Sequence, residues 1–597
     1  MKTDKTEVKR IILKKLVSSG INITPPLLNF ILGLENPIEK TSLIVKDTSF
    51  IAGFKSHLTE DILNQVSNEE IKNSLRRKLI KEGTDISRES SGIEPKGKQI
   101  ENILVNQENK SSTILTSVET AETFPKRISN IEDNSQSPAP IISIQKPIRT
   151  KSDPQPKGKV IEGSISKLSF KPKAKNYDFQ YNILKDPTGK LYTSGDYQDF
   201  YDLTLDKYNR LRTLMRKRTE VHNADNINNI LRLSSKVEVS VIALVSEIRK
   251  TKNENVLITL EDLTGLISVL IRKDSENQNN IKIAERTLND QMVYIEGTYS
   301  PGEKGRPGII YGNYITKIDI PKDYNPNKSY DPLTIALISD THIGSKEFEE
   351  KLWNRFIRFL NGKIGNRTQR EHAGKIKYLV INGDLVDGIG VYVTQKEDLK
   401  IIDIYQQYSK AAELLSSIPD YIKVIYSSGN HEPVRNALPR PAVPEKYSEE
   451  LRNDGVSCIG NPSLIQTHNV NTLIFHGDSI LDLNMLIPGL DHNKSVETMK
   501  EILKCRHLAP TYGKRTQIAP INKDWLIIDK IPDIFHTGHI HINDMGVYNN
   551  ITLVNSGCFQ SQTDFMRSLG IKPTPGILSL VDLDTLKGLQ LDLKNNL

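Results

Sequence analysis

Cysteine is scarce, with 3 in 597 residues. Cys458, Cys505 and Cys558 stand far apart and form no Cys-x-x-Cys pair, which argues against a disulfide framework and a thiolate metal site. Long apolar runs are missing as well. None approaches the ~18–20 residues that span a bilayer, so no membrane partner is expected. The opening residues Met1-Lys2-Thr3-Asp4-Lys5-Thr6-Glu7 lack the apolar core and small-residue cleavage site of a secretory signal. The expected setting is therefore the cytoplasm. Hydrophobic residues make up only 37%, below the ~45–50% of globular chains, so part of the chain is expected to stay unpacked. Charge of one sign is not in large excess: 80 Lys and Arg face 73 Asp and Glu, a net +7. That balance permits a nucleic-acid partner without demanding one. At roughly 100–200 residues per domain the length implies three or more domains. Histidine avoids the first half: ten of twelve lie between His342 and His541. Chemistry is expected there.

Residues 1–76 read as a small helical docking domain. Ile11, Ile12, Leu13, Leu16 and Val17 fit one helix face, Thr24 with Pro25 suggests an N-cap, and Ser67 with Glu70 suggests a capping box. Residues 77–176 read as a disordered Ser/Pro/Lys-rich linker. Positions 81–170 hold 14 Ser, 7 Pro and 2 aromatics, too little apolar surface to offset the entropy of ordering. Its end is basic, with nine Lys and Arg against two Asp and Glu over 146–175. This fits a solvated tether better than a phosphate-binding arm. Residues 177–235 read as a helical connector with a helix from Leu203 to Arg218. From 236 to 321 the pattern changes to short alternating strands around the Asp262-Leu263-Thr264-Gly265 turn, which implies a closed barrel of the OB type. Its strands carry few aromatics, so protein docking is at least as good a role as binding single strands.

From 333 to 597 apolar strands alternate with helices, the pattern of an α/β domain. Expected strands are Leu333–Ile338, Lys377–Ile381, Lys423–Tyr426, Thr472–Phe475, Asp533–Phe535 and Ile551–Val554; expected helices are Lys346–Leu360 and Leu399–Ser416. Five short motifs follow the strands, where the loops of an open sheet gather ligands. They are Asp340-Thr341-His342, Gly383-Asp384-Leu385-Val386-Asp387, Gly429-Asn430-His431-Glu432, His476-Gly477-Asp478 and Gly538-His539-Ile540-His541. Each alone is weak, because a His or Asp after a strand is commonly a satisfied loop residue. Together they are specific. Carboxylate and imidazole without thiolate suit a pair of first-row divalent ions. Two such ions can activate water and clamp phosphoryl oxygens.

These motifs resemble those of the calcineurin-like metallophosphoesterase superfamily, which implies a four-layer α/β fold of two sheets flanked by helices. By that resemblance Asp340, His342 and His541 hold one ion, Asp384 bridges to a second, and Asn430, His476 and His539 complete the second site. His431 would contact the phosphate or protonate the leaving oxygen. Asp387 and His536 would support the ligands from behind, although ordinary packing suits His536 better, as it does His372, His468 and His492. Asp387 is followed by Gly388-Ile389 rather than the Arg-Gly of phosphoprotein phosphatases. The superfamily's break-repair nucleases have a His at the position of Asp387 and put the nuclease domain first.

A barrel directly before the phosphoesterase is similar to the small subunits of archaeal family D DNA polymerases and, more distantly, to eukaryotic B-subunits. Arg506-His507-Leu508-Ala509-Pro510-Thr511-Tyr512-Gly513 and Pro532-Asp533-Ile534-Phe535-His536-Thr537-Gly538-His539 carry the archaeal likeness. It implies a 3′→5′ proofreading exonuclease on single-stranded or mismatched DNA ends, using Mn²⁺ first, with Mg²⁺, Fe²⁺ or Zn²⁺ as alternatives. Implied partners are a large catalytic polymerase subunit, DNA, and a sliding clamp or other replication proteins through the N-terminal arm, though no clamp-binding peptide with paired aromatics is visible. A non-catalytic assembly subunit and a stand-alone nuclease are the competing expectations.

Overall fold

The computed structural model describes residues 5–19, 21–23, 25–48, 57–58, 62–63, 66–75 and 170–595, apart from 222, 274–277 and 304–305. Thr24 and residues 76–169, which include most of the expected linker, lie outside the described residues. The chain divides into two units, Met1–Gln155 and Pro156–Leu597. Among the described residues no helix is long and apolar enough to cross a membrane.

In the first unit, helices Lys5–Ser18, Pro25–Leu32 and Pro37–Thr48 are joined by a parallel pair, β1 (Asn22–Ile23) and β2 (His57–Leu58). Ile12, Leu16, Ile31, Ile44, Ile71 and Leu75 form its core. The expected Ser67–Glu70 capping box does not form. Helix 69–75 is capped instead by Asn68, whose Oδ1 accepts the Ile71 N–H at 3.1 Å. Ser67 is turned to Asp47 through both its N–H and its hydroxyl, and Glu70 pairs with Lys40.

In the second unit, β4 (Val237–Lys250), β5 (Val256–Asp262), β6 (Gly265–Ile271), β7 (Met292–Ser300) and β8 (Ile309–Lys317) close a barrel in the order β4-β5-β6-β8-β7. Alternation closes it around one core: Val256, Ile258 and Leu260 of β5 and Ile267, Val269 and Ile271 of β6 point inward. Asp262 holds the β5–β6 turn by accepting the N–H groups of Thr264 and Gly265 at 2.7 and 3.0 Å.

The C-terminal region contains two six-stranded sheets. The first runs β12 (Ser457–Ile459), β11 (Lys423–Ser427), β10 (Ile376–Asn382), β9 (Thr334–Ile338), β18 (Ile577–Asp582), β19 (Gly588–Asp592). The second runs β16 (Asp544–Tyr548), β17 (Ile551–Asn555), β15 (Ile534–Thr537), β14 (Val470–Ile474), β13 (Ser463–Thr467) and β3 (Tyr181–Lys185). Ile335, Leu337, Val380, Ile425, Ile474, Ile534 and Val554 pack between the sheets. The neighbouring side chains Ala336, Ile338, Leu379 and Ile381 face outward against Trp353 and Phe356 of helix Glu350–Leu360. On the far side Leu473, Phe535 and Leu553 meet Met499 and Ile502 of helix Ser495–Cys505. Central strands buried on both faces explain the continuous apolar runs in the sequence. The architecture is helix, sheet, sheet, helix.

Three expectations need correction. The stretch 177–235 is not helical throughout: its helices span Tyr197–Met215 and Ile227–Leu231, but β3 pairs antiparallel with β13 and edges the second sheet. Residues 170–176, expected in the linker, are anchored at Ala174, which is buried and donates its N–H to Gly374 O at 2.8 Å. Two helices start late, at Glu350 and Ile404. Glu349 N–H is drawn to Phe559 O at 2.7 Å, and Asp403 caps the second by accepting the Gln406 N–H at 2.9 Å.

Candidate metal centre

The five motifs converge at one end of the two sheets. Asp340 and His342 follow β9, Asp384 and Asp387 follow β10, Asn430 and His431 follow β11, His476 follows β14, and His539 and His541 follow β15. Five of these residues sit in left-handed backbone, with φ of 53° at Asp340, 52° at His342, 52° at Asp384, 71° at His539 and 60° at His541. Such conformations are costly for side-chain-bearing residues and collect at functional sites. Glycine lets the loops meet. A Cβ on Gly429 would lie 2.2 Å from Asp384 Oδ1, and one on Gly538 would lie 2.6 Å from Asp340 Oδ2.

Three donor groups adjoin here; one of them, His342, Asp387 and His431, shares His342 with its neighbour, and the other two hold the nominated ligands. Asp340, His342 and His541 form one, with His541 Nε2 at 3.4 Å from Asp340 Oδ1 and 3.1 Å from His342 Nε2. Asp384, His476 and His539 form the other, with His476 Nε2 at 3.3 Å from Asp384 Oδ2 and 3.3 Å from His539 Nδ1. Asn430 Oδ1 joins it, 2.9 Å from His476 Nε2. Asp384 Oδ2 also lies 3.9 Å from His342 Nε2 and 3.9 Å from His431 Nε2, so this carboxylate stands between the groups. Asp387 Oδ1 meets His342 Nδ1 at 2.9 Å, which turns His342 Nε2 toward the site. His431 Nδ1 is 2.6 Å from the Asp387 carbonyl, which accepts its proton and leaves Nε2 facing the opening. His536 lies behind the donors, near enough to feel the charges of Asp340 and His476, but its Nε2 contacts Ser556 Oγ at 2.5 Å and it belongs to none of the donor groups.

The donor set fits a pair of divalent ions. Every donor is a carboxylate, an imidazole or an amide oxygen, and all of the seven nominated ligands but Asn430 and His539 are buried. Burial pushes the Asp384 carboxyl up, but the imidazoles of His476, His431 and His342 outweigh it and hold it well below the carboxylate range. Burial pushes His539 down to about 4, a neutral ring ready to donate an electron pair. Burial also disfavours charge on His476 and His541, yet Asp384 and Asp340 raise His476 to about 10, and Asp340 raises His541 well above the ordinary value. Without an ion, those two imidazoliums balance the carboxylates. An ion must displace their protons, so affinity should rise with pH, with about two protons released per pair of ions bound near neutral pH. Calorimetry in buffers of differing ionisation enthalpy checks this; proton-neutral binding would contradict it.

Asp387 should matter at one remove. Asp387→Ala is expected to weaken ion binding by about 10–100-fold, the usual penalty for losing a partner that orients a ligand, without preventing folding. Metal titration followed by calorimetry reads this directly.

All the residues that the sequence nominated for the two ions come together, as does His431. The family model that describes the B subunit of DNA polymerases alpha and epsilon matches residues 335–542, a span that contains every one of these residues. The DNA polymerase II small subunit of Methanothermobacter thermautotrophicus is 39% identical over 414 residues, 69% of this chain and 83% of that one. The chain belongs to the DNA polymerase II small-subunit family of archaea. The Methanocaldococcus jannaschii member is 37% identical over 412 residues, 69% of this chain and 68% of its own. A solved archaeal phosphodiesterase aligns with 43% of this chain and 99% of its own at 12% identity, but its TM-score of 0.22 carries no argument.

In this family member, two features of the site had no role assigned from sequence. Glu432, buried beside Asp384, accepts the N–H groups of Gly429, Asp384 and Leu385 at 2.6, 3.1 and 2.8 Å and the Tyr426 hydroxyl at 2.6 Å. It therefore ties the β10 and β11 loops together. Burial and the Asp384 charge raise its carboxyl to about 7. Arg440 grips Asp478 through two hydrogen bonds at 3.0 and 2.5 Å. Glu432 and Asp478 both stand inside quoted motifs, so adjacency was the available signal; nothing marked Arg440. Over the two groups opens a cavity of about 460 Å³, reached by His342, Asp384, Asn430, His431, His539 and His541.

Proposed function

We propose that this small subunit is a 3′→5′ exonuclease of the metallophosphoesterase type that removes nucleotides from single-stranded or mismatched DNA ends, and that it holds the large catalytic subunit of a family D polymerase. The observation that carries this is the pair of buried donor groups joined at Asp384 on the floor of an open cavity. Asp340, His342 and His541 would hold one divalent ion; Asp384, Asn430, His476 and His539 would hold the second. The ions, Mn²⁺ first and Mg²⁺, Fe²⁺ or Zn²⁺ as alternatives, would supply an acidified water and charge neutralisation at the scissile phosphate. His431 does the proton work. With Nδ1 held by the Asp387 carbonyl, its Nε2 is positioned to protonate the departing 3′-oxygen. Arg440 is already engaged by Asp478, so it shapes the cavity wall rather than gripping phosphate freely. The N-terminal unit would recruit further replication proteins, a sliding clamp among them.

The test is a Mn²⁺-dependent assay on a primer with a 3′-terminal mismatch, run with and without a family D large subunit. Progressive loss of 3′ nucleotides supports the proposal. A stable, ion-loaded complex that never shortens the primer would instead make this chain an assembly subunit.

A further inference from the structure

The cavity lining is of two chemistries. One is aromatic and apolar. Tyr392 stacks on Phe565 with ring centroids 5.3 Å apart and planes within 11°, and Met566, Leu569 and Ile571 continue the surface. Phe565 remains 49% exposed and Leu569 39% exposed, although both line the cavity. The other is polar and includes Arg515, exposed, together with Asn436 and Gln517. An aromatic pair with a half-exposed face and a cation in the lining of one cavity are the two elements that hold a nucleobase and its backbone.

The aromatic wall is also fixed to the ion-binding scaffold. The Tyr392 hydroxyl donates to Asp398 at 2.8 Å. Gln395, fully buried, accepts the Val391 N–H at 2.9 Å and donates to the Asp387 carbonyl at 2.6 Å. That same carbonyl accepts His431 Nδ1, and the Asp387 carboxylate orients His342. The loop bearing Tyr392 is thus hung from the residue that positions both histidines. Phe565 is placed by a short helix, Asp564–Ser568, whose first turn is capped by Thr563 accepting the Met566 N–H at 3.1 Å. Rigid placement of an exposed aromatic pair is what a stacking platform requires.

We infer that Phe565, backed by Tyr392, is the positioning platform on which the unpaired terminal base of a DNA strand stacks, so that the site accepts a frayed end and excludes a paired one. This rests on the exonuclease reading above and adds to it the residue that senses pairing. A base in a duplex is already stacked on its neighbour and hydrogen-bonded to its partner, so only an unpaired base is free to turn onto Phe565. A cavity of about 460 Å³ is within the range of small-ligand sites, the size class of a single nucleotide.

The test uses the full chain and oligothymidylates carrying 2-aminopurine either at the 3′ end or five positions inward, with EDTA present so that no bond is cut. Stacking quenches this base. Wild type should quench the terminal probe and leave the internal one bright. Phe565→Ala should lose the terminal quench and bind about tenfold more weakly, whereas Phe565→Trp should restore both. Unchanged ion uptake would show that the variants are folded. Equal quenching of both probes, or full terminal quenching in Phe565→Ala, overturns the inference. So does a Phe565→Ala protein that binds oligonucleotide normally but loses the large subunit, which would make the wall a protein-docking face. Failure of the platform and failure of the nuclease read differently. Terminal quenching without Mn²⁺-dependent excision sinks only the nuclease, and excision without quenching sinks only the platform.

Discussion

Replacing Asp384 by Asn should remove at least about a thousandfold of any excision activity while leaving the sheets intact. Asp384 lies near donors of both groups, 3.3 Å from His476 Nε2 and 3.9 Å from His342 Nε2. An amide in its place keeps the volume, and its oxygen can still accept the His431 N–H now held by Oδ1 at 2.9 Å. What disappears is the charge shared between the two sites. Bound metal measured by elemental analysis should fall from about two ions per chain to one or fewer. Unaltered excision by a folded Asp384→Asn protein would show that the two groups do not act through this carboxylate.

The second large effect concerns stability. Glu432→Ala strips the acceptor from three backbone N–H groups and a tyrosine hydroxyl inside a buried loop junction. Each orphaned buried donor costs about 1–3 kcal/mol, so a loss of at least about 3 kcal/mol is expected. Thermal unfolding followed by circular dichroism should show a midpoint lower by several degrees, and ion uptake should weaken because Asp384 loses its support. Glu432→Gln retains acceptor oxygen but brings an NH₂ toward N–H donors, so it should fall between the two. A wild-type midpoint for Glu432→Ala would mean that the β10 and β11 loops are held by something other than this carboxylate.

Much of this could be read from the chain beforehand, for identifiable reasons. The central strands are buried on both faces and therefore appear as unbroken apolar runs, such as Thr334–Ile338 and Ile376–Asn382. The ligands follow those runs at once, so residue type and position agree. The barrel showed itself by alternation, with Val256, Ile258 and Leu260 inward. β3 did not, because an edge strand with mostly exposed side chains, Tyr181-Asn182-Ile183-Leu184-Lys185, carries no burial pattern. Helix starts were misplaced where a tertiary acceptor, Phe559 O, captured the N–H of Glu349. The left-handed backbone at Asp340, His342, Asp384, His539 and His541 leaves no trace in composition, since any residue type there would read as loop. Glu432 was visible as a letter in a motif, but its role depends on three N–H groups brought together only by folding.

The most direct test is a single-turnover comparison of wild type with His431→Ala, each loaded with Mn²⁺ and assembled with the large subunit on a 5′-labelled, 3′-mismatched primer. His431 is not placed among the ion ligands, and its Nδ1 hydrogen bond ends on a backbone carbonyl, so both proteins should carry the same metal and form the same complex. Wild type should shorten the primer from its 3′ end, and the variant should do so at least about a hundredfold more slowly. Equal rates, or an inert wild type with both ions bound, would contradict a catalytic role for this centre.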